Sequence, residues 1–149
     1  MTSTIARLLG LSCALSAAIA MIAAVSIASA GERDAAASFQ RIIASQIDAF
    51  RRDAGAEAFA HASPGIRAQF GTANNFMTMV KKGYPQVYRP QSFKFGKVTK
   101  EMAGRPTQRV HIVDSRGQSW TALYAFEQQA DGTWRIAGVV MLREEDVSA

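Results

Sequence analysis

The apolar residues change their spacing near residue 90, and no other feature of the sequence constrains the fold as strongly. Before that point they recur at helical intervals. Phe39, Ile42, Ile43, Ile47 and Phe50 form one continuous stripe over 34–52, the pattern of a helix with a single buried face. After Pro90 the period falls to two, over 92–99, 108–114, 118–128 and 133–142, the pattern of strands. Helices first and strands second, with hairpin-type turns between the strands, predict an α+β fold with antiparallel pairing.

Local signals place the shorter elements. A second helix is predicted over Ala56–Ala60. Ser63-Pro64 reads as an N-cap followed by a first-turn proline, opening a helix that runs through Phe70. Thr72–Lys82 is the next, with Phe76, Met79 and Val80 inward, and Gly83 takes the left-handed position after its last turn. Turns are expected at Gly104-Arg105-Pro106, Ser115-Arg116-Gly117 and Ala130-Asp131-Gly132.

The last two strands are apolar on both faces. Trp134, Ile136, Val140 and Leu142 alternate on one side of the fourth, with Ala137, Val139 and Met141 opposite. Trp120, Ala122, Tyr124 and Phe126 share a side of the third, with Leu123 and Ala125 behind them. A sheet with one wet face alternates more cleanly. This sheet is therefore expected to curl around its own contents, or to be covered by helices on one face and a second subunit on the other.

The N-terminus reads as a leader. Arg7 precedes an apolar run, Leu8–Ile27, and Ala28-Ser29-Ala30 is a small-x-small cleavage site. That is the pattern of a secretory signal peptide cut after Ala30, which places the mature protein in the periplasm or outside the cell. Left uncut, Leu8–Ile27 just reaches the ~20 residues of a membrane span, and the chain would be an envelope-anchored structural protein. Residues 31–149 then form one α+β domain with its core at about 34–142.

Charge and cysteine usage narrow the chemistry. Lys and Arg number 17 against 12 Asp and Glu, a net charge of +5, but the cations are scattered. Export and the absence of an aromatic-interleaved basic motif argue against nucleic acid. Cys13 is the one cysteine and lies in the leader, and two histidines remain, His61 and His111. Neither a disulfide framework nor a metal site is expected, and no cofactor is implied.

Several short segments together carry a resemblance. They are Gln46-x-x-Ala49-Phe50, Ala62-Ser63-Pro64-x-Ile66, Phe76-x-x-Met79-Val80, Gly83-Tyr84-Pro85-x-Val87-Tyr88 and Asp131-Gly132-x-Trp134-Arg135-Ile136. The chain resembles an exported bacterial family of the DUF4864 kind, a domain of unknown function, within the nuclear transport factor 2-like superfamily. The resemblance implies a cone: N-terminal helices packed on a strongly bent four-stranded antiparallel sheet. It implies no activity, although the superfamily includes cofactor-free enzymes such as ketosteroid isomerase, which work with a carboxylate base and tyrosine donors inside the cone.

Among candidate site residues, Gln46 falls in the middle of the apolar stripe. It either ties the helix to a backbone group or points into a pocket. Asp53 is a possible general base but reads better as the N-cap of the helix starting near Ala56. His61 lies in a loop without a recognisable partner, and no serine sits in a nucleophile elbow. The loop Lys81–Pro90 reads as a clasp that stops one helix and starts the first strand, with Tyr84 packing back on Met79. It could also frame the mouth of a cone.

The function expected from these residues is non-catalytic binding of a small apolar or amphipathic ligand, or of a protein partner, by a homodimer. Gln46, Tyr84, Tyr88, Trp120 and Tyr124 are the candidate ligand contacts. The rival is an isomerase, dehydratase or hydrolase using Asp53 or His61 as base and Tyr84 or Tyr88 as donor.

Overall fold

A computed structural model describes the backbone of residues 14–144 and the side chains of 29–144. The apolar run of the expected leader, Leu8–Ile27, begins outside that range, and most of the residues after Arg143 lie outside it. The chain divides into two compact units at Ala35/Ala36. The first contains the beginning of helix α1 (Ala14–Arg51), and the second contains everything discussed below. No helix among the described residues is long and apolar enough to cross a membrane.

The second unit is α+β. After α1 come α2 (Gly55–Ala60), α3 (Pro64–Phe70), α4 (Ala73–Gly83) and α5 (Pro85–Tyr88). Strands β1 (Ser92–Met102), β2 (Arg105–Val113), β3 (Ser119–Gln128) and β4 (Trp134–Arg143) follow as an open antiparallel meander in the order β1-β2-β3-β4. Two helix starts are capped as their sequences require. The Ser63 hydroxyl accepts from the Ile66 N–H at 3.4 Å and Thr72 from Asn75 at 3.2 Å, which satisfies amide groups that a helix start leaves unpaired.

The end of α4 differs from expectation. Gly83 is the last helical residue and has no left-handed backbone. Tyr84 is the C-cap, its N–H donating to Val80 O at 2.8 Å. Pro85 then opens the short α5 rather than ending helical structure, since proline suits a first helical turn, where no N–H is needed. The first hairpin also turns earlier than predicted. Its two central residues are Ala103 and Gly104, with φ of 52° and 75°, the paired left-handed residues of a type I′ turn. Pro106 falls inside β2 but precedes its first pairing with β3 at Thr107, so no ladder hydrogen bond is lost there.

One β-bulge decides which side chains face the helices. Phe126 pairs with Ile136 but Ala125 with Gly138, so Ala137 is an extra residue in β4. A single inserted residue reverses the alternation beyond it. Val139 and Met141 therefore join Ile136, Tyr124 and Ala122 on the inner face. Val140 and Leu142 move to the outer face, against the simple alternation expected for β4. Phe39 of α1 stacks on Phe126 with ring centres 4.2 Å apart and meets Trp134 edge-on at 5.0 Å, which fixes the inner face as the helix side. The sheet also bends. Met102 on edge strand β1 reaches across to the other edge, where a Cβ placed on Gly138 would lie 3.6 Å from its Cε.

Candidate functional site

The inner face and the helices leave a cavity of about 250 Å³ between them. Phe50, Phe76, Val80 and Val87 from the helices, with Ile136 and Val139 from β4, form most of its wall, and exposed Gln69 marks the side nearest solvent. Three of the residues singled out in the sequence line it: Gln46, Tyr84 and Tyr124. Gln46 is buried and its amide donates to Ala58 O at 3.1 Å, so it ties α1 to α2 rather than to the sheet while also bordering the cavity. The Tyr84 hydroxyl donates to Val139 O at 3.3 Å, across to β4.

Tyr124 is different. It is fully buried, and its hydroxyl has no hydrogen-bond partner among the described residues. Burial pushes its ionisation far above the ordinary tyrosine range, because a phenolate would have no solvation there. The group is held as a neutral phenol with a proton to donate. Leaving a buried hydroxyl unmatched costs about 1–3 kcal/mol, and an unpaired polar group in a cavity wall is a place where a ligand atom gains.

Tyr88 and Trp120 lie outside this cavity. Trp120 donates from its indole N–H to Asp114 at 3.0 Å, and its ring is covered by Arg143 at 5.2 Å. Tyr88 belongs to a clasp at the end of α1. Asp53 has a left-handed backbone with φ of 55°. Its carboxylate accepts from the Tyr88 hydroxyl and from Arg89, and pairs with Lys81 at 3.2 Å. Beside it, Arg51 donates to Pro90 O at 3.2 Å. Asp53 is thus not the N-cap of α2, which is Ala54 and carries no side-chain cap. The Tyr88 hydrogen bond, above all, holds its carboxyl below the ordinary carboxylate value, with Lys81 and Arg89 adding to the effect. A general base needs the opposite shift, and Asp53 does not line the cavity.

His61 is placed by two backbone hydrogen bonds to β4. Ile136 N–H donates to His61 O at 2.9 Å and Ser63 N–H to Ile136 O at 2.8 Å, around a parallel bridge between Ala62 and Ile136. This sets the ring of His61 against Ser45 of α1, with Nε2 and Oγ 2.9 Å apart. The pair was not legible from the sequence. The signal available was the stripe Ser38, Arg41, Ser45, spaced to fall on one helix face. Those three residues, with His61, Trp134 and Arg135, line a groove separate from the cavity.

The profile of a domain of unknown function (DUF4864) matches residues 32–149. The chain belongs to this family. No match is found among curated proteins or solved structures. The family match covers every residue of the cavity, clasp and groove, and it assigns none of them a role.

Proposed function

We propose that this DUF4864 domain is a non-catalytic binding module whose cavity takes a small, largely apolar molecule carrying one hydrogen-bond acceptor. The observation that carries the reading is the Tyr124 hydroxyl, buried, neutral and unpartnered among the described residues, in a mostly apolar wall whose other polar side chains are Gln46, Gln69 and Tyr84. A carbonyl or ether oxygen would complete it. At about 250 Å³ the space falls below the ~300–1,000 Å³ typical of drug-sized ligands, so the ligand is small. Binding is favoured over isomerase-type chemistry because, among the described residues, neither a carboxylate nor a histidine lines the cavity, and Asp53 is occupied in the clasp.

The test is titration with small apolar ketones and ethers, read by thermal shift and native mass spectrometry, on wild type and Tyr124→Phe. Saturable binding that weakens about tenfold in the variant, the value of one good hydrogen bond, supports the reading. Binding that is absent, or indifferent to Tyr124, overturns it.

Export belongs to the same reading. Its support is the leader pattern through Ala30 and a family match that begins at residue 32. The mass of protein recovered from the cell envelope reports directly whether residues 1–30 have been removed. The homodimer rests on the outer sheet face, where Val140 is 42% exposed. Native mass spectrometry of the same sample reports it.

A further inference from the structure

The groove beside His61 brings together side chains from three places. Ser38, Arg41 and Ser45 come from one face of α1, His61 from the α2–α3 connection, and Trp134 and Arg135 from the start of β4, next to the turn residues Gly132 and Thr133. The space they enclose is about 420 Å³. The backbone bridge between Ala62 and Ile136 fixes His61 against β4, so the arrangement rests on regular structure and not on a free loop.

Its two arginines lack close ion pairs. Arg52, Arg89, Arg109 and Lys81 each have a carboxylate within 4 Å. Arg41 and Arg135 have none among the described residues. Arg41 uses one N–H on Ser38 Oγ at 2.9 Å and another on Ala37 O at 3.4 Å. Arg135 donates to Trp134 O at 3.1 Å. Among the described residues both keep further guanidinium donors uncommitted, and no carboxylate lines the groove. Glu127 is the cross-strand partner of Arg135, and Asp131 feels its charge, yet neither comes within 4 Å of it among the described residues; Asp131 is hydrogen-bonded to Thr133 at 2.7 Å, and Glu57 to Arg52 at 2.6 Å.

We infer that this groove binds a phosphate dianion or the phosphate group of a small monoester, gripped by Arg41 and Arg135 and hydrogen-bonded by the Ser45–His61 pair. Two guanidinium groups match a dianion in charge and offer the paired N–H geometry that phosphate oxygens accept. The serine hydroxyl and the imidazole supply further donors once the ligand is in place. The inference is independent of the cavity, which shares no lining residue with the groove.

His61 provides the readout. Burial, and then Arg135, hold its imidazole below the ordinary histidine value, and Glu57 opposes them weakly. A bound dianion beside it would favour the imidazolium and raise that value. The experiment titrates inorganic phosphate, and separately phenyl phosphate, into the full chain at fixed ionic strength while nitrogen-resolved NMR follows the His61 ring. The expected result is a saturable shift, a higher His61 titration midpoint with ligand, and at least tenfold weaker binding in both Arg41→Gln and Arg135→Gln. Arg67→Gln, outside the groove, should bind as wild type does. No saturable change, a response that equimolar chloride reproduces, or undiminished binding in the two arginine variants would each overturn the inference. Saturation by phenyl phosphate alone would assign the site to organic monoesters.

Discussion

The Tyr88 hydroxyl donates to the Asp53 carboxylate across 35 positions of sequence, and this contact joins the end of α1 to the end of α5. Lys81 and Arg89 approach the same carboxylate, and both also lie over the Tyr88 ring, at 5.2 and 4.9 Å. The loop therefore works as a clasp, and Lys81 and Arg89 are consumed inside it.

Replacing Asp53 with Asn removes the charge and one of the two acceptor oxygens while keeping the backbone, because Asn tolerates a left-handed conformation nearly as well as Asp. Asp53 titrates lower in the folded chain than in the unfolded one. Its contribution is therefore present above the ordinary carboxylate value and lost as pH falls through the lowered one. Asp53→Asn should be less stable than wild type at pH 7 in urea melts. The difference should close as the pH is lowered past that point. A gap that persists at acid pH would mean the carboxylate's charge is not what holds the clasp.

Tyr124→Phe should stabilise the ligand-free protein. The substitution keeps the ring and deletes a hydroxyl that has no partner, removing a penalty of roughly 1 kcal/mol. Its cross-strand partner Gln108 is also buried with its side-chain oxygen unpaired, an acceptor that the Tyr124 hydroxyl does not engage in this structure. The urea midpoint should rise at an unchanged slope. A lower midpoint would show that the hydroxyl finds a partner in solution, and the case for a ligand acceptor would fall with it.

How much of this was legible depended on range. The switch of period near Pro90 fixed which segments are helices and which strands, because side-chain periodicity is a local property. The Ser63 cap is local in the same way. The bulge at Ala137 was not legible, since a bulge is defined by the register of the neighbouring strand, and missing it put Val140 and Leu142 on the wrong face of the sheet. Asp53 was misread for a related reason. A short-range rule favoured an N-cap, but three side chains from α4, α5 and the start of the next loop outbid it. Ser45 and His61 are brought together by a bridge to β4, so sequence spacing held no trace of the pair. For Tyr124 the inward face was readable, and its lack of a partner was not.

Ala103 occupies a left-handed position that costs a residue with a Cβ roughly 1–2 kcal/mol. Ala103→Asn would create an Asn-Gly pair, the preferred type I′ dipeptide. Because both flanking residues keep their pairing in the hairpin, the gain should be about 1 kcal/mol, seen as a rise in melting temperature of roughly 4 °C for a domain this size. An unchanged or lower melting temperature would show that the turn relaxes away from the left-handed geometry.

Gly55 is the first residue of α2, and it packs against α4. A Cβ there would lie 2.8 Å from Met77 Cγ, a mid-chain atom of a residue only 8% exposed. Alanine would gain up to ~1 kcal/mol in helix preference, but the clash must be relieved by moving a packed side chain, which costs about 1–3 kcal/mol. The clash wins, and Gly55→Ala should be destabilised. If contact with Met77 is the cause, the two sites must couple. In a double-mutant cycle, Gly55→Ala should cost less in a Met77→Ala background, by roughly 1 kcal/mol or more. Additive effects would place the strain of Gly55→Ala in the backbone of the α1–α2 connection instead.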